Sequence, residues 1–210
     1  MSLMDQIKSN AKAAGKTIVL PEGSEERTVQ AAGLAVKQGI AKVVLVGKQA
    51  DIMATAQATG TDISGVACID PATADCRAEY AETLYELRKA KGMTQEQAEQ
   101  LIQDPLFFGA MMVKKGAADG MVAGAINATG DVLRPGLQII KTAPGISTVS
   151  SCFIMDCPAR DYGDNGILIF GDCAVVPNPT ADEMAAIAIA SAASGKALAE
   201  IGRASCRERV

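Results

Sequence analysis

Short aliphatic runs, each closed by glycine or proline and each followed by a helix-length segment, constrain this chain more than any other feature. Thr17–Leu20 (TIVL) stops at Pro21-Glu22-Gly23, Lys42–Val46 (KVVLV) stops at Gly47, and Val66–Ile69 closes at Asp70-Pro71. The segments around them have helical periodicity and helix punctuation. Leu3–Ala14 ends at Gly15, and Gln49–Ala58 follows the second run. Ser24 is placed to cap a helix through Gln38, with Glu25 and Glu26 in a first turn where the helix dipole favours acids. The order αβαβαβ with short turns predicts an α/β fold whose mostly parallel sheet is covered by helices on both faces. Such sheets gather ligands at the carboxyl ends of their strands. The turns after Leu20, Val46 and Ala125 are therefore candidate rims of one site.

The stretch Gly120–Lys141 (GMVAGAINATGDVLRPGLQIIK) reads as a further strand, polar turn and helix. Leu133, Leu137 and Ile140 stand at helical spacing. Proline is tolerated only in a first helical turn, so Pro135 predicts Asp131 as N-cap with Arg134 in the first turn. Small residues, outward N–H groups and a guanidinium together suit a phosphate or carboxylate. The same residues also suit an ordinary strand-to-helix connection with Arg134 facing water.

Between these parts lie helices in succession. Thr73–Lys91 has Tyr80, Leu84 and Leu87 inward and Arg88, Lys89 and Lys91 at its end. Thr94 opens a capping box with Gln97, and Pro105 starts a helix to Lys115 that is apolar nearly all round and so buried. Ala143-Pro144-Gly145 marks a composition break. Beyond it, Thr148–Met155 and Ile167–Phe170 read as antiparallel strands around the hairpin signal Asp164-Asn165-Gly166, and Thr180–Glu200 as a helix capped by Thr180 with Glu183. These divisions predict a first α/β domain over residues 1–145 and the start of a second over 146–201. Residues 202–210, GRASCRERV, are read as an artefactual tail, because a helix that should lead to another strand stops there.

Composition narrows the chemistry. Hydrophobic residues make up 49% and charged residues 21% of the 210, enough for a sizeable core; aromatics are only 3%, so that core is aliphatic with nine Met. A net charge of −4 and few aromatic platforms argue against a nucleic-acid binder. The absence of His excludes His-based acid–base catalysis, Ser–His triads and most catalytic zinc sites, and no metal site is expected. Six Cys without a C-x-x-C pair read as reduced structural thiols. The N-terminus lacks a signal-type apolar core and no apolar run reaches membrane-spanning length, so a cytoplasmic protein with no membrane partner is expected.

Some motifs fail on inspection. Gly15-Lys16-Thr17 ends like a P-loop, but Asn10 stands where glycine is needed and the motif precedes a strand. There is no G-x-G-x-x-G, and Asp161–Gly166 has turn rather than calcium-loop spacing. Arg134 and Arg88 survive as functional candidates, although a cation near a helix end, as at Arg88, is also an ordinary solvated residue.

The blocks TIVLPEGSEERTVQAA, IAKVVLVG, YELRKAKGMTQEQA, ADGMVAGAINATGDVLRPGLQIIKTAPG and FGDCAVVPNPTADEMAAIAIASA resemble the N-terminal part of the phosphotransacetylase (phosphate acetyl/butyryl transferase) family over roughly residues 1–200. The resemblance implies a three-layer α/β/α fold like that of isocitrate and isopropylmalate dehydrogenases, and a homodimer. It implies transfer of acetyl between acetyl-CoA and inorganic phosphate, giving acetyl phosphate and CoA, with coenzyme A as substrate and no other cofactor. It implies that Arg88 and Arg134 bind the phosphate-bearing substrates, and it moves Asn127, Thr129 and Gly130 toward the same cleft wall. The catalytic residue is unknown here, because the family's base, an aspartate, and a nearby Ser–Arg pair fall in a C-terminal part that this sequence does not contain. These 210 residues are therefore expected to show little or no turnover and to expose unfinished apolar surface, leading to aggregation or reliance on dimer contacts. Butyryl transfer, a non-catalytic CoA- or phosphate-binding module and, less well supported, a dehydrogenase on the shared fold are the alternatives.

Overall fold

A computed structural model describes residues 2–199. The residues Lys8–Lys141 form one compact unit; Thr142 onward, with the first residues of the chain, forms another. The 202–210 tail lies outside the described residues.

Within the first unit, β1 (Thr17–Leu20), β2 (Lys42–Val46), β3 (Ala67–Ile69) and β4 (Gly120–Met121) make a parallel sheet in the order β3-β2-β1-β4. Its register pairs Val19 with Val44 on one side and with Met121 on the other. The helices are α1 (Leu3–Ala14), which runs into this unit, then α2 (Glu26–Lys37), α3 (Gln49–Thr59), α4 (Arg77–Arg88), α5 (Gln95–Leu101), α6 (Pro105–Lys114) and α7 (Thr129–Pro135).

Alternation along β2 explains the layers. Val44 and Val46 join one buried cluster with Leu84, Phe108, Met111 and Ile139. Val43 and Leu45 join another with Val29, Ala32 and Ile52. Successive strand residues point to opposite faces, so a continuous apolar run demands cover on both, and the sequence supplies it. The expected three-layer α/β arrangement is present here. The helix α6 buries seven consecutive residues, Leu106 to Met112. Asp104 caps it by accepting from the Leu106 and Phe107 N–H groups at 2.8 and 3.3 Å, and Pro105 occupies its first turn. The Thr94–Gln97 capping box opens α5.

Local expectations fail where a proline or a carboxylate has more than one use. Ser24 does not cap α2; the N-cap is Glu25, whose carboxylate accepts from the Thr28 N–H at 2.7 Å. The predicted helix from Thr73 is regular only over α4 and tightens to a 3₁₀ turn at Lys89–Lys91. Asp131 does not cap α7, and Pro135 is not in its first turn. The helix starts earlier, on Ala128, and Pro135 ends its regular ladder. Pro135 has no N–H to give to Asp131, and its ring crowds that carbonyl. The chain widens into a π-turn over Gly136–Ile140, closed by Lys141 N–H donating to Gly136 O at 2.8 Å. That widening shifts the helical phase: Ile139 is fully buried, whereas Leu137 and Ile140, expected inside, are exposed.

The other unit contains β5 (Cys152–Asp156), β6 (Ile167–Gly171) and α8 (Ala181–Ala199). The strands pair antiparallel, with Phe153 opposite Phe170 and Ile154 opposite Ile169. Asn165 and Gly166 take the positive φ values, 50° and 88°, that the hairpin signal requires. The side chain of Thr180 accepts from the Glu183 N–H, and the Glu183 carboxylate accepts from the Thr180 N–H and hydroxyl. The five described cysteines are free and half-buried. Among the described residues no helix is long and apolar enough to cross a membrane.

Candidate functional site

The turn that the sequence offered as an anion cradle does hold a carboxylate, but the carboxylate is the chain's own. Strand β1 lies beside β4, so the loop after Leu20 faces the loop after Met121. Glu22, 6% exposed, enters that loop. One of its oxygens accepts from the Gly124 and Ala125 N–H groups at 2.8 and 2.7 Å. The other accepts from the Ile126 and Asn127 N–H groups at 3.0 and 2.9 Å and from the Asn127 side-chain amide at 2.8 Å. Burial pushes the Glu22 carboxyl up, but the Ile126, Ala125 and Asn127 donors together outweigh it and hold the carboxyl at about 2. Asn127, a sequence candidate, thus gives its backbone N–H and one side-chain N–H to Glu22.

Arg27 ties the same loop to α2. Its Nε pairs with Glu25 at 2.7 Å and its terminal nitrogen donates to Ala125 O at 2.7 Å. The Arg27 guanidinium, with the Thr28 N–H and hydroxyl, holds Glu25 at about 2 against its burial. Gly23 closes the rim from below, donating to Val46 O at 3.1 Å. The turns after Leu20, Val46 and Met121 therefore meet, as the strand order predicts. Sequence reasoning missed Glu22. The available signal was a carboxylate after one strand facing a small-residue run after the next.

Arg88 and Arg134 come together. They line one cavity of about 350 Å³ with Lys91, Gln138, Gln97, Met93, Gly92, Leu101 and Phe107. The 3₁₀ turn after α4 brings residues three apart onto one side, which explains why Arg88 and Lys91 share the cavity. Gly92, at φ 86°, then reverses the chain in a conformation glycine adopts without strain. Three cations and no carboxylate stand among the lining residues. In a chain of net charge −4 this is a local positive field. Asp131 meets Arg134 at 3.5 Å with both side chains more than half exposed, so it neutralises little. Among the described residues, Arg88 Nε and Gln138 Oε1 are two of three buried side-chain polar atoms without a hydrogen-bond partner.

Thr129 and Gly130 are not among the residues lining this cavity. They begin α7, are exposed, and no side chain caps the helix there. Among the described residues no cluster of three or more His, Cys, Asp or Glu could hold a metal ion.

Comparison with known proteins agrees over nearly the whole chain. Residues 2–204 match the family described as phosphate acetyl/butaryl transferase. A phosphate acetyltransferase of Acetivibrio thermocellus is 51% identical over 92% of this chain and 58% of its own length. One of Clostridium acetobutylicum is 49% identical over 96% of this chain and 60% of its own. Among solved structures, a phosphotransacetylase from Streptococcus pyogenes superposes with a TM-score of 0.87 at 35% identity, covering 95% of this chain and 60% of that one. The chain thus spans about 60% of the length of such relatives. With this match spanning both the parallel sheet and the hairpin with α8, the chain belongs to the phosphate acetyl/butaryl transferase family.

Proposed function

We propose that the chain supplies the substrate-binding part of a phosphate acetyltransferase. That enzyme moves an acetyl group reversibly between acetyl-CoA and inorganic phosphate, giving acetyl phosphate and CoA. The observation that carries the reading is the cavity lined by Arg88, Lys91 and Arg134 with no carboxylate among its lining residues. Both substrates are phosphate-bearing anions, and guanidinium groups pair with phosphate in a directional, charge-assisted way. Thr129 and Gly130, at the uncapped start of α7, and Asn127, fixed by Glu22, complete the substrate wall in this reading. The CoA thiol must lose a proton before attacking the acetyl carbonyl, and a carboxylate base serves that step without histidine. In this reading the base lies outside residues 1–210, so these residues alone bind substrates with little or no turnover. Coenzyme A is a substrate and no further cofactor is needed. A homodimer in the cytoplasm, without nucleic-acid or membrane partners, belongs to the same reading, as does a domain division near residue 145.

The test is direct. Calorimetric titration of the 210-residue chain with CoA gives binding, and Arg88→Gln and Arg134→Gln each weaken it about tenfold or more. Absence of CoA binding, or binding untouched by both substitutions, overturns the proposal. Acetyl-CoA against butyryl-CoA in the same titration decides the acyl preference, since the family covers both.

A further inference from the structure

The cavity contains one unpaired buried oxygen, the side-chain carbonyl of Gln138, that phosphate pairing does not explain. Gln138 is neutral and stands among cations. Its Oε1 is buried without a donor, and Arg88 Nε in the same cavity is buried without an acceptor. Unpaired buried polar atoms are costly, and these two lie in one hollow rather than scattered. The backbone also holds Gln138 in place. Pro135 forces the π-turn, Ile139 anchors it in the core with no exposure, and Gln138 is the neighbouring residue turned to the cavity. In a regular helix the buried apolar stripe would run through Leu137 and Ile140 instead. The phase shift thus keeps an amide acceptor in the cavity that Arg88 also lines.

The Gln138 carbonyl oxygen, unlike its amide N–H groups, cannot pair with a fully ionised phosphate, which has only acceptors itself. It suits a ligand that carries N–H or O–H donors close to its phosphates. Coenzyme A carries such donors, in its adenine amine, its ribose hydroxyl and its pantetheine amides. We propose that Gln138 is a specificity-determining residue of this cavity. It accepts a hydrogen bond from the organic part of coenzyme A while Arg88, Lys91 and Arg134 pair with its phosphates. The inference rests on the CoA-binding reading above and adds to it how the cavity separates CoA from simpler phosphates.

The experiment compares three probes on the 210-residue chain by titration calorimetry: CoA, adenosine 3′,5′-bisphosphate and inorganic pyrophosphate. Gln138→Met removes the acceptor at similar volume. It is expected to raise the Kd for CoA about tenfold and to leave that for pyrophosphate within about twofold. A loss shared by the bisphosphate puts the donor on the nucleoside end, and a loss confined to CoA puts it on pantetheine; either supports the proposal. Equal weakening of CoA and pyrophosphate, or no change in either, overturns it. If Gln138→Met fails to fold, Gln138→Glu decides. It keeps an acceptor but adds an anion beside Arg88, so pyrophosphate should weaken at least as much as CoA, and selective loss of CoA overturns the proposal. Failure of the underlying reading looks different: the unsubstituted chain binds no CoA, or Arg88→Gln and Arg134→Gln both leave CoA binding unchanged.

Discussion

The two compact units solve the same burial problem to different degrees. In Lys8–Lys141 the parallel sheet has a buried cluster on each face. In the unit from Thr142 onward, α8 covers one face of the hairpin, where Gly171 and Gly195 let Ser191 and Ile169 come close. The other face carries Phe153 and Phe170 as a cross-strand pair, 59% and 54% exposed; separately, α8 leaves Ile189 exposed at 66%. A buried cross-strand aromatic pair stabilises a sheet; an exposed one leaves apolar area in water. Stability in this chain should therefore reside in the first unit.

The largest test of that contrast is Phe108→Ala, which removes a fully buried ring packed on Tyr80 at 5.2 Å between centroids. It should cost about 3–5 kcal/mol in denaturant unfolding. Phe153→Ala in the other unit should cost no more than about 0.5 kcal/mol. Comparable losses from the two would erase the distinction.

Acid comes next. The folded pKa of Glu22, about 2, lies below its ordinary value of 4.5, so its contribution is fully present above pH 4.5 and disappears as pH falls toward 2. The linked stabilisation is roughly 3 kcal/mol. Glu22→Gln should lower stability at pH 7 and flatten the loss between pH 4.5 and 2 measured on first-unit amides by hydrogen exchange. An unchanged acid limb would refute the clamp. In the second unit Asp172 has the same design: burial raises its carboxyl, while the N–H groups of Val176, Ser151 and Val175 and the Ser151 hydroxyl bring it well below the usual range. Amides near Asp172 should therefore keep their acid sensitivity in the Glu22→Gln protein.

Smaller effects sharpen the picture. A Cβ on Gly23 would sit 2.6 Å from Val46 O, so Gly23→Ala should cost about 1–3 kcal/mol in thermal unfolding. Thr94→Ala breaks the α5 capping box, in which Thr94 Oγ1 accepts from the Gln97 N–H at 3.2 Å, and should cost about 1 kcal/mol. A Thr94→Ala loss as large as that of Phe108→Ala would mean that caps, not core, hold the first unit together.

Periodicity made the sheet, both helix layers, α6 and the hairpin legible, because strand and helix repeats are local properties of sequence. Arg88 and Arg134 were legible as cations at helix ends, and the L-R-P and E-L-R-K blocks carried the family resemblance. Their meeting in one cavity was not, because it depends on the strand order that puts β4 beside β1 and on the 3₁₀ turn after Arg88. The phase of Gln138 was hidden for another reason. Pro135 signals both a helix start and a helix interruption, and only the packing of Ile139 decides between them. Glu22 was hidden because its five donors lie more than a hundred residues away in the chain.

Four of those five donors are main-chain N–H groups. Side-chain replacement at Ala125, Ile126 or Asn127 leaves them in place, unless proline is introduced, whereas Gly124, at φ 109°, is in a conformation that favours glycine. The interaction is therefore open to sequence change almost entirely from the acceptor side. In a saturation library the positions from Ala125 to Asn127 should accept varied side chains while position 22 accepts almost none, so an invariant glutamate would mark this loop better than any of those three residues.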